Sequence, residues 1–172
     1  SDIHANIDAF ESVLRTIDND GIDTIFIAGD LVGYYYNPDK VIDICMSRDD
    51  IYCIRGNHDR NFLNAINDKS FMTKMIKKYG SSYRITQEKL SDKQITWLAS
   101  LPTKLELTME QVTITIAHGS INSEDEYIYP SKKSIDLLKQ LSNSEYTILG
   151  HTHHPFVWCN KDRWLVNPGS VG

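Results

Sequence analysis

The chain has 172 residues, of which 41% are hydrophobic and 24% charged, enough apolar material for one sizeable core and too much for a disordered polypeptide. A net charge of −5 gives no general attraction for nucleic-acid phosphates or anionic lipid, so an anionic ligand would need a local cation. No apolar run approaches the roughly 20 residues that cross a bilayer, the chain does not open on a signal-peptide pattern, and Cys45, Cys53 and Cys159 lack CxxC spacing, so the expectation is a cytoplasmic protein with buried, reduced thiols.

Asn6 is placed to cap a helix on which Ile7, Phe10, Val13, Leu14 and Ile17 recur at helical spacing before Gly21. Residues 24–28 form a β-branched and aromatic run that stops at Gly29-Asp30, and Asn37-Pro38 then starts a second helix through about Met46. The cadence repeats with a strand over 51–54, ended by Arg55-Gly56-Asn57-His58-Asp59, and a helical stretch marked by Phe62, Leu63 and Ile66. Residues 69–100 read as helical in two amphipathic pieces, the second opening on a capping box of Ser91 and Gln94 and closed by Pro102. Residues 105–107 and 112–117 predict a hairpin around Met109-Glu110-Gln111, its second strand running into His118-Gly119. Ser131 is predicted to cap a helix carrying Ile135, Leu138 and Leu141. A strand over 146–149 then ends in Gly150-His151-Thr152-His153, and 156–159 with 163–166 predict a closing hairpin. No repeat, low-complexity segment or flexible linker divides the chain, which reads as one α/β domain over 1–172. Ser1-Asp2-Ile3-His4 follows no strand and 167–172 stop within a loop, so the chain is expected to be a fragment truncated at both ends, lacking its first strand and its C-terminal end.

Asp30, Asn57 to Asp59, His118 and His151 to His153 each lie just past an apolar β-run, where open α/β sheets gather ligand-binding groups. Five of the six histidines fall in these clusters or in Asp2-Ile3-His4. Asp2 with His4, and His151 with His153, are two residues apart and in extended backbone project from one face. Imidazole nitrogens with carboxylate or amide oxygens, and no thiolate, favour manganese, iron, zinc or nickel over calcium and argue against a structural zinc site. Seven candidates, Asp2, His4, Asp30, Asn57, His118, His151 and His153, exceed one tetrahedral site. They suit two ions about 3.5 to 4 Å apart sharing a bridging carboxylate, for which Asp30 is the choice. Taken singly, each histidine or Gly-Asp pair is more often a capped turn than a ligand; their ordered conjunction outweighs that. His154 reads as a surface residue, Tyr34-Tyr35-Tyr36 as a loop packing on the core, Arg55 as a strand-end partner of a carboxylate, and Lys69, Lys74, Lys77 and Lys78 as a solvated helix face.

In order along the chain, Asp2-Ile3-His4, Gly29-Asp30, Gly56-Asn57-His58-Asp59, His118-Gly119 and Gly150-His151-Thr152-His153 resemble the five signature motifs of the calcineurin-like metallophosphoesterases. Gly29-Asp30-Leu31-Val32-Gly33-Tyr34 and Asn167-Pro168-Gly169-Ser170 resemble more narrowly the small bacterial and archaeal phosphodiesterases of that superfamily. The resemblance implies a four-layer αββα sandwich of two mixed β-sheets flanked by helices. It implies one metal held by Asp2, His4, Asp30 and His153 and another by Asp30, Asn57, His118 and His151, with manganese the expected ion and iron, nickel or zinc the alternatives. It further implies hydrolysis of a small phosphodiester or phosphomonoester by in-line attack of a hydroxide bridging the two metals, with His58 as general acid and Asp59 orienting its imidazole. The chain departs from the pattern in Ala5-Asn6 where relatives usually have Gly-Asn, in Asp59 where many have Glu, and in Tyr34-Tyr35-Tyr36 where Tyr-Gly-Pro is commoner; no ligand is lost. A protein phosphatase or a dinucleoside tetraphosphatase would carry the same motifs. A non-catalytic scaffold like the retromer subunit of this fold is the alternative outside the enzymes, and retention of every ligand and of His58 argues against it.

Overall fold

Two short apolar runs, Ile25–Ile27 (β1) and Ile51–Cys53 (β2), pair in parallel in a computed structural model that describes residues 1–130 and 134–172. Six helices pack on one face of this pair or extend from it: α1 (Ile7–Asn19), α2 (Pro38–Ser47), α3 (Asn57–Ala65), α4 (Lys69–Tyr79), α5 (Ser82–Lys89) and α6 (Asp92–Ser100). A second sheet has the order β3 (Lys104–Met109), β4 (Val112–Ala117), β5 (Tyr146–Ile148), β7 (Arg163–Asn167), β6 (Phe156–Asn160), with α7 (Ser134–Leu138) between β4 and β5 in the chain. It is mixed, since β4, β5 and β7 run parallel while β3 and β6 are antiparallel to their neighbours. The smaller sheet consists of one parallel pair.

The period-2 alternation of strands sorts the apolar residues into three layers of core. Ile25 and Ile27 face Phe10, Leu14, Val41 and Phe62 of the helices. Ala28 and Ile54 meet Ile116 between the sheets, with Phe26, Leu105, Ile114 and Ile148 packed around them. Ala117, Leu149 and Leu165 face Leu137 and Leu141 on the far side. The result is helix, sheet, sheet, helix, the four-layer arrangement the motifs implied.

Several local expectations change. Residues 69–100 form three helices, because Gly80 takes φ +73° and ends α4 after Tyr79. Helix α3 begins at Asn57, so Asn57, His58 and Asp59 make its first turn. In and after α7 the inward residues are Leu137 and Leu141, four apart on one face, whereas Ile135 and Leu138 are exposed. Ser131, the predicted cap, lies outside the described residues. Cys45 and Cys53 are buried as expected, but Cys159 is exposed, since alternation along β6 turns it outward with Val157. The three tyrosines after Gly33 are also exposed, at 44 to 50%. Their short loop runs past the ends of the strands, where Tyr34 lines a cavity instead of packing on the core. Among the described residues no helix is long and apolar enough to cross a membrane.

Candidate metal centre

Asp30, Asn57, His118 and His151 all follow the C-terminal ends of parallel strands, β1, β2, β4 and β5, and the sheet packing brings these ends together. Residues 2–5 join them by running beside the loop after β1, where Asp2, His4 and Ala5 N–H groups donate to the carbonyls of Gly29, Asp30 and Leu31 at 3.1, 2.9 and 2.8 Å. The two motif glycines bring the first and second loops into backbone contact. A Cβ on Gly29 would lie 2.6 Å from the Gly56 nitrogen, and one on Gly56 would strike the Asp30 carboxylate.

All seven residues expected as metal ligands meet in this one place. Ligand atoms of Asp2, His4 and His153 lie within 4.8 Å of one another, and so do those of Asp30, His118 and His151. Asp30 Oδ2 reaches toward both groups, 3.3 Å from His118 Nε2 and 3.9 Å from His4 Nε2. Asn57 Oδ1 lies 2.8 Å from His118 Nε2. Five of the seven, Asp2, His4, Asp30, His151 and His153, hold φ between 53° and 65°. Non-glycine residues adopt this left-handed region at a cost, and such residues gather at functional sites where the surrounding structure enforces them.

The hydrogen bonds test whether cations fit. His118 Nδ1 donates to the Ala28 carbonyl at 2.7 Å and His4 Nδ1 to the Val32 carbonyl at 3.1 Å, which turns each Nε2 into the site. There His118 Nε2 faces the Asn57 oxygen at 2.8 Å and His4 Nε2 faces His153 Nε2 at 3.1 Å. In the neutral ring each Nε2 is a lone pair that a cation can take in place of a proton. His151 Nε2 is buried with no hydrogen-bond partner among the described residues, although the Asp125 main chain bonds its ring. The donor set of the two clusters therefore fits divalent cations.

Protonation follows the same geometry. Burial alone would raise Asp30, but His118, His58 and His4 outweigh it and hold the carboxyl below its usual range. Burial opposes charge on His118, yet Asp30 and Asp2 raise it to about 9. Burial lowers His4, and burial with the neighbouring His118 lowers His151, keeping both imidazoles available as neutral donors.

His58 and Asp59 were expected to act as a pair, and their side chains part company. The Asp59 carboxylate accepts from four backbone N–H groups, those of Asp30, Leu31, Val32 and Gly56, at 2.9 to 3.0 Å. At the third position of α3 it points back along the helix axis and pins the loop after β1 to the loop after β2, out of reach of the His58 ring. The partner of His58 Nδ1 is instead the Tyr83 hydroxyl at 3.2 Å, on a side chain only 1% exposed. Tyr34 and Tyr79 wall the same imidazole, with ring centroids 4.9 and 4.6 Å away. Asp30, Asn57, His58, His151 and His153 open with Tyr34, Tyr79 and Tyr127 onto one cavity of about 200 Å³. These tyrosines carry no local motif; the one signal for Tyr79 and Tyr83 was their four-residue spacing in an amphipathic stretch. Arg55 turns to the Ala99 carbonyl, away from the cavity, and His154 is exposed against Tyr129.

The model of the calcineurin-like phosphoesterase superfamily domain matches residues 1–172. The chain belongs to the calcineurin-like phosphoesterase superfamily. An uncharacterised protein of Methanocaldococcus jannaschii is 30% identical over 193 residues, covering all of this chain and 74% of that protein. A hypothetical protein of Pyrococcus horikoshii has a similar structure, with a TM-score of 0.84 at 21% identity over 99% of this chain and 75% of its own. A metallophosphoesterase from Sphaerobacter thermophilus follows at 0.77 and 24%, over 99% and 74%. Members of the superfamily use divalent metals, and the chain has two histidine and carboxylate clusters that could hold them.

Proposed function

We propose that the chain is a dinuclear metal-dependent phosphoesterase that prefers small phosphodiesters, with manganese as its working ion. The observation that carries this reading is the pair of adjacent His and carboxylate clusters, with Asp30 of one 3.9 Å from His4 of the other and His58 on the same cavity wall. Asp2, His4, Asp30 and His153 would hold one ion, and Asp30, Asn57, His118 and His151 the other. Two divalent ions there supply Lewis acidity that lowers the pKa of a water and neutralises phosphate oxygens.

The chain's own residues do the rest. His58 gives a proton to the departing alkoxide. Burial lowers its imidazole to about 4, and an anionic substrate beside it would supply the opposing charge that favours its protonated form. Tyr83 fixes the ring by its contact with Nδ1, and Asp59 acts one step back, as a positioning residue that holds the Asp30 loop. The reading includes a reducing cytoplasm, which suits three free cysteines.

The test is hydrolysis of a chromogenic diester and the matching monoester by metal-stripped chain, with manganese, nickel, zinc or magnesium restored singly. Faster diester cleavage with manganese is expected; inactivity with every metal would favour a scaffold. His58→Ala should lower kcat by about 10²- to 10⁴-fold while both ions remain bound. Asp30→Ala should lose metal as well as activity, and elemental analysis finding two ions in that variant would sink the shared-ligand assignment.

A further inference from the structure

The segment after β4 holds an aromatic surface that the hydrolytic reading leaves unused. Tyr127 and Tyr129 are 51% and 36% exposed, while Ile128 between them is 1% exposed and anchored in the core with Leu137 and Leu165. This alternation sends both tyrosines outward on one face. Their rings are parallel within 7°, with centroids 6.0 Å apart, and the Tyr127 ring lies 4.1 Å from that of His151. The shelf is held in place before any ligand arrives. Arg60, two residues after His58, binds Glu124 at 2.5 Å and Asp125 at 2.9 Å, and the Ser120 N–H donates to the Ser123 carbonyl at 2.7 Å. The Arg60 clasp also offsets the charges of Glu124 and Asp125.

An exposed pair of parallel aromatic rings beside the proposed metal ligands offers a flat face on which a planar group can stack. The cavity of about 200 Å³ takes the phosphate end of a ligand beside Asp30 and His58, and Tyr127 stands at its rim. A planar group joined to the phosphate through a short spacer reaches the shelf, which is the layout of a nucleotide: phosphate, sugar, base. We propose that Tyr127 and Tyr129 stack the base of a nucleotide phosphoester, so that the substrates of this site are nucleotides or oligonucleotide ends. Stacking reads a base by its π-face, so all bases are accepted with modest preference. The proposal rests on the phosphoesterase reading for the phosphate position and adds the recognition of what the phosphate carries.

The experiment compares ligands that differ only in the planar group, by calorimetric titration of the manganese-loaded chain with AMP and with ribose 5-phosphate. AMP should bind about tenfold tighter. In Tyr127→Leu combined with Tyr129→Leu the ratio should fall toward one, and in Tyr127→Phe, which keeps the ring, it should persist. Equal binding of the two ligands to the unaltered chain overturns the proposal, and so does a preference for AMP that survives the double leucine variant. Phenyl phosphate against methyl phosphate separates the other source of the same chemistry: a gain there without a gain for AMP means that the shelf serves aryl esters, and nucleotides are excluded. Binding is read without turnover, so a chain that hydrolyses nothing yet prefers AMP fails the catalytic reading alone.

Discussion

His118 is where the electrostatics of the centre concentrate. Its Nε2 sits 3.3 Å from Asp30, with Asp2 also acting on it, and the raised value of about 9 means that in metal-free protein a proton on this ring offsets the buried carboxylates. The sign follows from the comparison with an unfolded histidine near 6.5. A folded value above the unfolded one gives stability that is complete below about pH 6.5 and is lost as pH rises toward 9. Metal-stripped chain should therefore melt at a lower temperature at pH 9 than at pH 6.5, and the difference should shrink in His118→Asn. A melting temperature that rises across this interval would contradict the assignment. At this scale the sequence was informative about the ligands, because polar clusters just past apolar β-runs gathered the candidates and the family resemblance separated Asn57 from its neighbour His58. It was silent about Asp59, whose partners are backbone groups with no side-chain signature. It was equally silent about Tyr83, whose contact with His58 depends on how α5 packs against α3.

Among the elements, α3 and the two loops it joins carry most of the organisation. The Asp59 carboxylate takes four N–H groups from the loops after β1 and β2 into one buried acceptor, although burial and Asp30 push its carboxyl up to about 7. Asp59→Asn keeps the shape but sets an amide NH₂ against N–H donors, leaving buried groups unpaired. It should cost about 3 kcal/mol in urea unfolding of the metal-free chain, the scale of hydrogen bonds to a charged group. A loss no larger than that of an exposed substitution would show that the carboxylate does not hold the loops. Elements set by local chemistry were legible: Asn6 accepts from Ala9 N–H at 3.2 Å, and Ser91 and Gln94 form the expected reciprocal cap. The hairpin of β3 and β4 turns through Glu110 and Gln111, both at positive φ, where the pattern put it. The buried face of α7 and the lateral order β4-β5-β7 were not legible, since each is decided by contacts with residues far away in sequence, whereas the break at Gly80 is a local glycine stop that the amphipathic pattern on either side masked.

At the scale of the molecule, the candidate centre is the meeting point of both sheets and five chain segments, and nothing nearer than loop backbone links some of its members. Ions that bind the folded state alone stabilise it by mass action, by about 2.7 kcal/mol at a hundredfold excess over Kd. Manganese added to stripped chain should raise the melting temperature in a concentration-dependent manner, with a smaller rise in Asp30→Ala, and an unchanged temperature would mean that no ion binds. The four-layer fold was expected only through family resemblance, because alternation gives the faces of each strand but not which sheet it joins. The contact of His4 with His153 spans 149 positions of sequence. A cation held there would close nearly the whole chain into a ring, and the entropy of the unfolded chain makes long closures the ones that gain most from a clip. Time enters as well. Each cluster takes one histidine from the segment 150–153, so neither is complete until His151 and His153 have left the ribosome, and metal loading becomes a late event in the life of the nascent chain.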